Sequence, residues 1–231
     1  MKSLYLLINF FTVVVPFLFS FHPKLNFYKH WKSFFLANSI TAFLFISWDI
    51  LFTHLGVWGF NPNYVLGLYI FNLPIEEILF FICIPYACVF TYHCLNLFYN
   101  LRWKPLTETV FVLTSCLSLL LIGLFFFTKL YTASIFISLA IMLLLLKYVA
   151  KINWLPRLVL IYPILLIPFF IVNGILTGSG IDAPIVWYNN QYNLFIRLLT
   201  IPVEDIFYGF ELILLNLFFY EFFNAKWSVN K

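Results

Sequence analysis

Seven long apolar stretches, roughly 4–21, 34–51, 75–98, 109–127, 131–148, 158–176 and 201–222, occupy most of the chain, separated by short segments that hold charges, prolines and polar clusters. A helix that crosses a bilayer needs about 20 mostly apolar residues. With 64% apolar residues, a mean hydropathy of +0.99 and only 10% charged residues, 231 residues carry more apolar surface than one soluble core can hide. The pattern predicts an all-α polytopic membrane protein with seven transmembrane helices. The first stretch has one leading lysine, more positive charge after it than before it and no small-residue cleavage site, so it is expected to stay as a helix.

Basic residues orient such a bundle, because loops on the cytoplasmic side carry an excess of Lys and Arg. With seven spans, ten of the thirteen, from Lys24 in the first connection to Lys226 and Lys231 at the C-terminus, fall on one side. Only Lys2, Lys129 and Arg197 fall on the other. The expectation is an outside N-terminus, a cytoplasmic C-terminus and a multi-pass protein of the cell membrane. The formal net charge of +4 is consumed by this asymmetry and points to no nucleic-acid partner. Cys83, Cys88, Cys94 and Cys116 sit inside spans at spacings that give no metal pattern, and are read as small apolar fillers. His54 and His93 have no partner at ligand spacing and are read as structural.

The chain repeats itself. NLPIEEILFF, residues 72–81, is answered by IPVEDIFYGF, residues 201–210, which sets Glu76 opposite Glu204 and Glu77 opposite Asp205. Upstream, DILFT (49–53) answers NGILT (173–177), and Val57-Trp58 answers Val186-Trp187. Spans 2 and 3 therefore match spans 6 and 7, although spans 1 and 5 show no evident likeness. The simplest organisation is three plus one plus three helices: a first repeat over 1–105, a linker span within 106–130 and a second repeat over 131–231, the two repeats parallel and related by an axis along the membrane normal.

That topology gathers Asp49, Glu76, Glu77, Glu204 and Asp205, five of the nine acids, at one end of the bundle. Glu211 lies two helical turns below Glu204 on the same face, with Tyr208 between them, a stripe expected to face the bundle interior. A single Pro-x-Glu reads as an ordinary helix start, with proline at the first position and an acid against the helix dipole. Two copies, each with a second acid and a nearby Asp/Asn-x-x-x-Thr, point to chemistry instead. An ionised group at membrane depth costs on the order of 2.5–3.5 kcal/mol. In a dry site one of several neighbouring carboxyl groups holds a proton while another stays ionised, which is an acid/base pair. Few polar residues lie deeper in the spans, so the substrate is expected to come from the lipid, between aromatic walls able to stabilise a passing cation.

The stretches SWDILFTHLGVWGFNPNYVLGLYIFNLPIEEILFF and VNGILTGSGIDAPIVWYNNQYNLFIRLLTIPVEDIFYGFELILLN resemble the two halves of the integral-membrane lycopene cyclases, with the doubled Pro-x-Glu-[Glu/Asp] as the most specific element. The resemblance implies a lycopene β-cyclase, a non-redox enzyme that closes the open ends of lycopene into β-rings. It puts Glu76 and Glu204 on the first acid of each motif and Glu77 and Asp205 on the second. One of Glu76 and Glu204 is then expected to be the acid, with the other, or Glu77, Asp205 or Glu211, shielding the cation and accepting the proton. Asp49 and Arg197 would orient them, with Asn173 and Tyr208 in the pocket wall. No cofactor is expected: no G-x-G-x-x-G follows a strand, and GSG at 178–180 is a loop. A C40 polyene is comparable in length with the ~30 Å hydrocarbon core. Implied partners are the lipophilic carotenoid, the bilayer and other carotenoid enzymes. Two further classes compete: a seven-span small-molecule transporter, disfavoured because the acids gather at one end, and a cyclase of another ring type. A retinal protein is excluded by the absence of lysine within the last span.

Overall fold

The computed structural model describes residues 2–228. Seven helices form at the seven apolar stretches: α1 (Leu4–Phe19), α2 (Trp31–His54), α3 (Ile75–Phe98), α4 (Pro105–Phe125), α5 (Leu130–Leu144), α6 (Leu155–Leu176) and α7 (Val203–Ser228). A short 3-10 turn leads into α2, and a π turn over Leu145–Val149 prolongs α5. Six of these segments are long and apolar enough to cross a membrane. The exception, α1, has 16 residues, a rise of about 24 Å. Lys231, counted with the cytoplasmic charges, lies outside the described residues.

Composition alone does not show how these helices tolerate polar groups at depth. Thr12, Ser39, Ser47, Thr91 and Thr114 each turn the hydroxyl back onto the carbonyl four residues earlier at 2.7–2.8 Å, satisfying a group that lipid would leave bare. Outward faces carry large apolar side chains such as Phe43, Leu121 and Ile167. α1 packs on α3, α5 on α4 and α7, and α2 presses on both α3 and α7. At the opposite end from the acids, Lys147 pairs with Glu108 at 2.7 Å, joining α4 to the end of α5.

The all-α expectation missed six short strands at the acidic end. β1 (Trp58–Phe60) pairs antiparallel with β4 (Val186–Tyr188), while β2 (Tyr69–Ile70) with β3 (Leu73–Pro74), and β5 (Arg197–Leu198) with β6 (Ile201–Pro202), form two tight hairpins. Two- and three-residue strands leave no alternation for a sequence reading to detect. The hairpins are copies of one another: Phe71 and Leu199 occupy the same corner, with φ of 57° and 60°.

The β1–β4 ladder joins the repeats about a point between Gly59 and Trp187, with Trp58 opposite Tyr188 and Phe60 opposite Val186. On its flanks Asn61 N–H donates to the Ile185 carbonyl and Asn189 N–H to the Val57 carbonyl, both at 2.8 Å. Val57 thus corresponds to Ile185 and Trp58 to Val186. The sequence alignment of Val57-Trp58 with Val186-Trp187 is one residue out, because two identical residue types outweighed the spacing to the proline. Gly59 makes this contact feasible: a Cβ there would meet the Trp187 ring, 2.7 Å from Cε2. Gly59→Ala is expected to cost about 1–3 kcal/mol through overpacking, read as a lowered melting temperature of the detergent-solubilised protein.

Candidate active site

Each Pro-x-Glu motif starts a helix, but not by the capping geometry anticipated from sequence. Pro74 is the residue before α3, extended at ψ 149° and paired in β3, so Ile75 opens the helix and Glu76 is its second residue. A proline at that position has no N–H for a capping carboxylate to accept. The first acid turns instead towards the preceding loop. Glu76 Oε1 accepts the Leu66 N–H at 2.7 Å, and Glu204 Oε1 accepts the Leu194 N–H at 2.8 Å and the Thr132 hydroxyl at 2.6 Å. Both glutamates are 0% exposed, and each Oε2 has no hydrogen-bond partner among the described residues. Asn9 of α1 holds the Glu76 main chain, its Nδ2 donating to the carbonyl at 2.7 Å.

The second acid of each motif points the other way, into a cavity bounded chiefly by α3, α6 and α7. Glu77 Oε2 accepts the Tyr5 hydroxyl of α1 at 2.5 Å. Asp205 accepts on both oxygens, from Tyr131 of α5 at 2.7 Å and from Tyr188 of β4 at 2.9 Å. Asp49, at the end of α2, faces the same cavity and accepts the Trp58 indole N–H, leaving its Oδ2 without a hydrogen-bond partner among the described residues. Asn173 and Tyr208 also line it. No Lys or Arg does.

Two expected members stand apart. Arg197 donates to the Thr200 carbonyl at 2.7 Å and to Asn190 Oδ1 at 3.0 Å, with its guanidinium over the Tyr188 ring at 5.8 Å. It therefore braces the tyrosine that holds Asp205, with no hydrogen bond of its own to an acid among the described residues. Glu211 is buried against α5, accepting the Ser138 hydroxyl at 2.9 Å, and is not in the cavity wall. The carboxyl set is thus split: Glu77, Asp205 and Asp49 face the cavity, and Glu76 and Glu204 face the loops.

The sequence reading missed the hydroxyl donors Tyr5, Tyr131, Tyr188 and Thr132, and the indole of Trp58. One signal was present. Leu4-Tyr5 opens α1 and Leu130-Tyr131 opens α5, each tyrosine supplying a phenol to the second acid and a backbone N–H to a loop carbonyl, of Tyr64 and Tyr192 respectively. The likeness between α1 and α5 that residue-by-residue comparison left out thus rests on one dipeptide. Tyr188 lies in a loop strand. Burial, with the Asp205 carboxylate beside it, pushes its phenol well above the usual tyrosine range, so it remains a donor at neutral pH.

Below the acids the walls become apolar and aromatic. Tyr208 packs edge-on against Trp58 and Tyr131 at 6.3 Å, and Trp58 against Tyr131 at 5.1 Å. Further down lie Phe80, Ile84, Leu165, Phe169 and Leu212. From Glu77 the cavity continues along α3 as far as Thr91, four turns of helix or about 21 Å. The arrangement can bring proton donors and acceptors to an apolar molecule, with ring faces to stabilise positive charge.

The family model described as lycopene cyclase matches residues 2–95 and 128–223, two segments that leave out the whole of α4. No curated protein and no solved structure matches the chain.

Proposed function

Because this chain belongs to the lycopene cyclase family, we propose that it is a lycopene β-cyclase, converting each open end of lycopene into a β-ring, by way of a monocyclic intermediate. The coarser statement, a carotenoid cyclase in a multi-pass membrane setting, follows from the family and from six helices able to cross a membrane. The observation that carries the finer one is the meeting of Glu77, Asp205 and Asp49, supplied by both repeats, on an apolar cavity with no basic residue in its wall.

Glu77 is assigned as the acid. One of its oxygens accepts a phenol and the other is not taken by an ordered donor among the described residues, which leaves a place for the proton. Asp205, accepting on both oxygens, is held as the carboxylate and is assigned as the base. Glu77 delivers its proton to the terminal double bond of the open end, leaving a tertiary cation. The electron pair of the neighbouring double bond closes the ring and moves the charge to a ring carbon, and Asp205 removes the adjacent ring proton to form the ring double bond. One proton enters and one leaves, no redox partner is needed, and Asp49 with the faces of Trp58 and Tyr208 shields the cation. The first acids, Glu76 and Glu204, take the role of loop anchors in place of the proton donor anticipated from sequence, because their bonded oxygens are directed at Leu66 and Leu194.

The same reading takes all seven helices as spans, with the acids at the outer leaflet, residues 1–105 and 131–231 as the two repeats and α4 as the linker. Expression in a lycopene-accumulating bacterial host is the test. Conversion of lycopene to β-carotene is the expected result. Pigment extracts that hold only lycopene would overturn the assignment, and a different ring would retain the family while replacing the product.

A further inference from the structure

If the two repeats were equivalent in all respects, the cavity along α3 and α6 would have a twin along α7 and α2. The spacing that relates Glu76 to Glu204 places α3 on α7, and the spacing that relates Asp49 to Asn173 places α2 on α6. Around the cavity the walls carry Ala87, Thr91, Val172 and Gly209. At the four equivalent places stand Leu215, Phe219, Trp48 and Phe81, each the larger residue. Rings occupy the twin: Phe45 lies 5.2 Å from Tyr208, 6.0 Å from Trp48 and 6.3 Å from Phe81, ring centre to ring centre. Asn38 of α2 ties α3 to α7 beneath them, donating to the Phe81 carbonyl at 2.9 Å and to Asn216 Oδ1 at 3.3 Å. Gly209 on the open side keeps the wall thin, since a Cβ there would meet Tyr162 Oη at 3.2 Å and Phe169 at 3.5 Å.

From this asymmetry we infer that the chain has one polyene chamber, between α3 and α6, its equivalent between α7 and α2 being closed by its own side chains. The inference rests on the cyclase reading for the identity of the occupant, a linear carotenoid. Its chemical consequence is sequential action. Both ends of one substrate must visit the same Glu77 and Asp205, so the monocyclic product leaves the acids and re-enters reversed before the second ring forms. Thr91, Ala87 and Cys88, at the end of the chamber remote from the acids, are then the residues that meet the unreacted part of the chain and set what length is accepted.

Two measurements test this. The first titrates purified wild-type protein in lipid nanodiscs with lycopene: one bound polyene per chain is expected, and two would overturn the proposal. The second adds bulk to the open side. Thr91→Phe and Ala87→Leu are each expected to lower cyclisation by at least about tenfold, while Leu215→Ala on the closed side leaves it within about twofold, with melting temperatures recorded for all three. Full activity in both filled variants would overturn the single chamber even though β-carotene is made. A wild-type protein that binds one lycopene and forms no ring would instead discard the cyclase reading and keep the chamber.

Discussion

Glu77→Gln is expected to abolish ring closure, lowering turnover by about 10²–10⁴-fold, the range that general acids and bases supply, while the protein still folds. The amide has the size of the carboxyl group and its oxygen still accepts the Tyr5 hydroxyl that meets Glu77 at 2.5 Å, so packing survives and only the transferable proton is lost. Asp205→Asn is expected to reach the same range by another route. The amide accepts one phenol and presents an NH2 to the other, whose oxygen then has to accept, and no basic oxygen remains to take the ring proton. Product formation from lycopene in membranes, normalised to the amount of folded protein, checks both. Turnover within tenfold of wild type in either variant would remove that residue from the proton path.

The second large effect falls on folding. Glu204→Ala deletes the acceptor of the Leu194 N–H and of the Thr132 hydroxyl in a place that water does not reach. Leaving both donors unsatisfied is expected to cost about 3 kcal/mol or more, a large share of the 5–15 kcal/mol margin typical of folded proteins. The expected observation is a sharply reduced yield of detergent-stable protein. Glu204→Gln keeps an accepting oxygen and is expected to recover most of that yield, together with activity. This pair separates an anchor from an acid: a proton donor would lose turnover on the change to Gln with yield intact, the behaviour expected of Glu77.

The helices were legible because hydrophobic length is a long-range, redundant signal. The stretch 75–98 is α3 to the residue; 4–21 runs two residues past the end of α1, and 109–127 starts four residues late because the charge of Glu108, in the first turn of α4, reads as a boundary. The clustering of acids was legible too, because the doubled motif and the alternation of helix direction together place them at one end. What was not legible is which way each acid turns. Adjacent residues on a helix project about 100° apart, so of Glu76 and Glu77 one must face the loops and the other the cavity, but composition does not distinguish them. The decision is made by Leu66 and Tyr5, whose approach depends on a hairpin and on a helix remote in sequence. Arg197 was likewise expected among the acids from its charge; its reach to Thr200 and Asn190 is set by the β5–β6 corner.

α4, which packs chiefly on α5 and has no counterpart in the other half, has an architectural consequence. Three helices form an odd set, so a second set joined directly to the first would begin on the opposite face and be inverted relative to it. Tyr5 and Tyr131 would then stand at opposite poles of the molecule, and no ladder could form between Trp58 and Tyr188. One extra passage restores parity. Two copies of a three-helix unit whose acids stand at one end can therefore share a reaction centre at that end only when an even number of passages separates each helix from its copy, and α4 supplies the missing one.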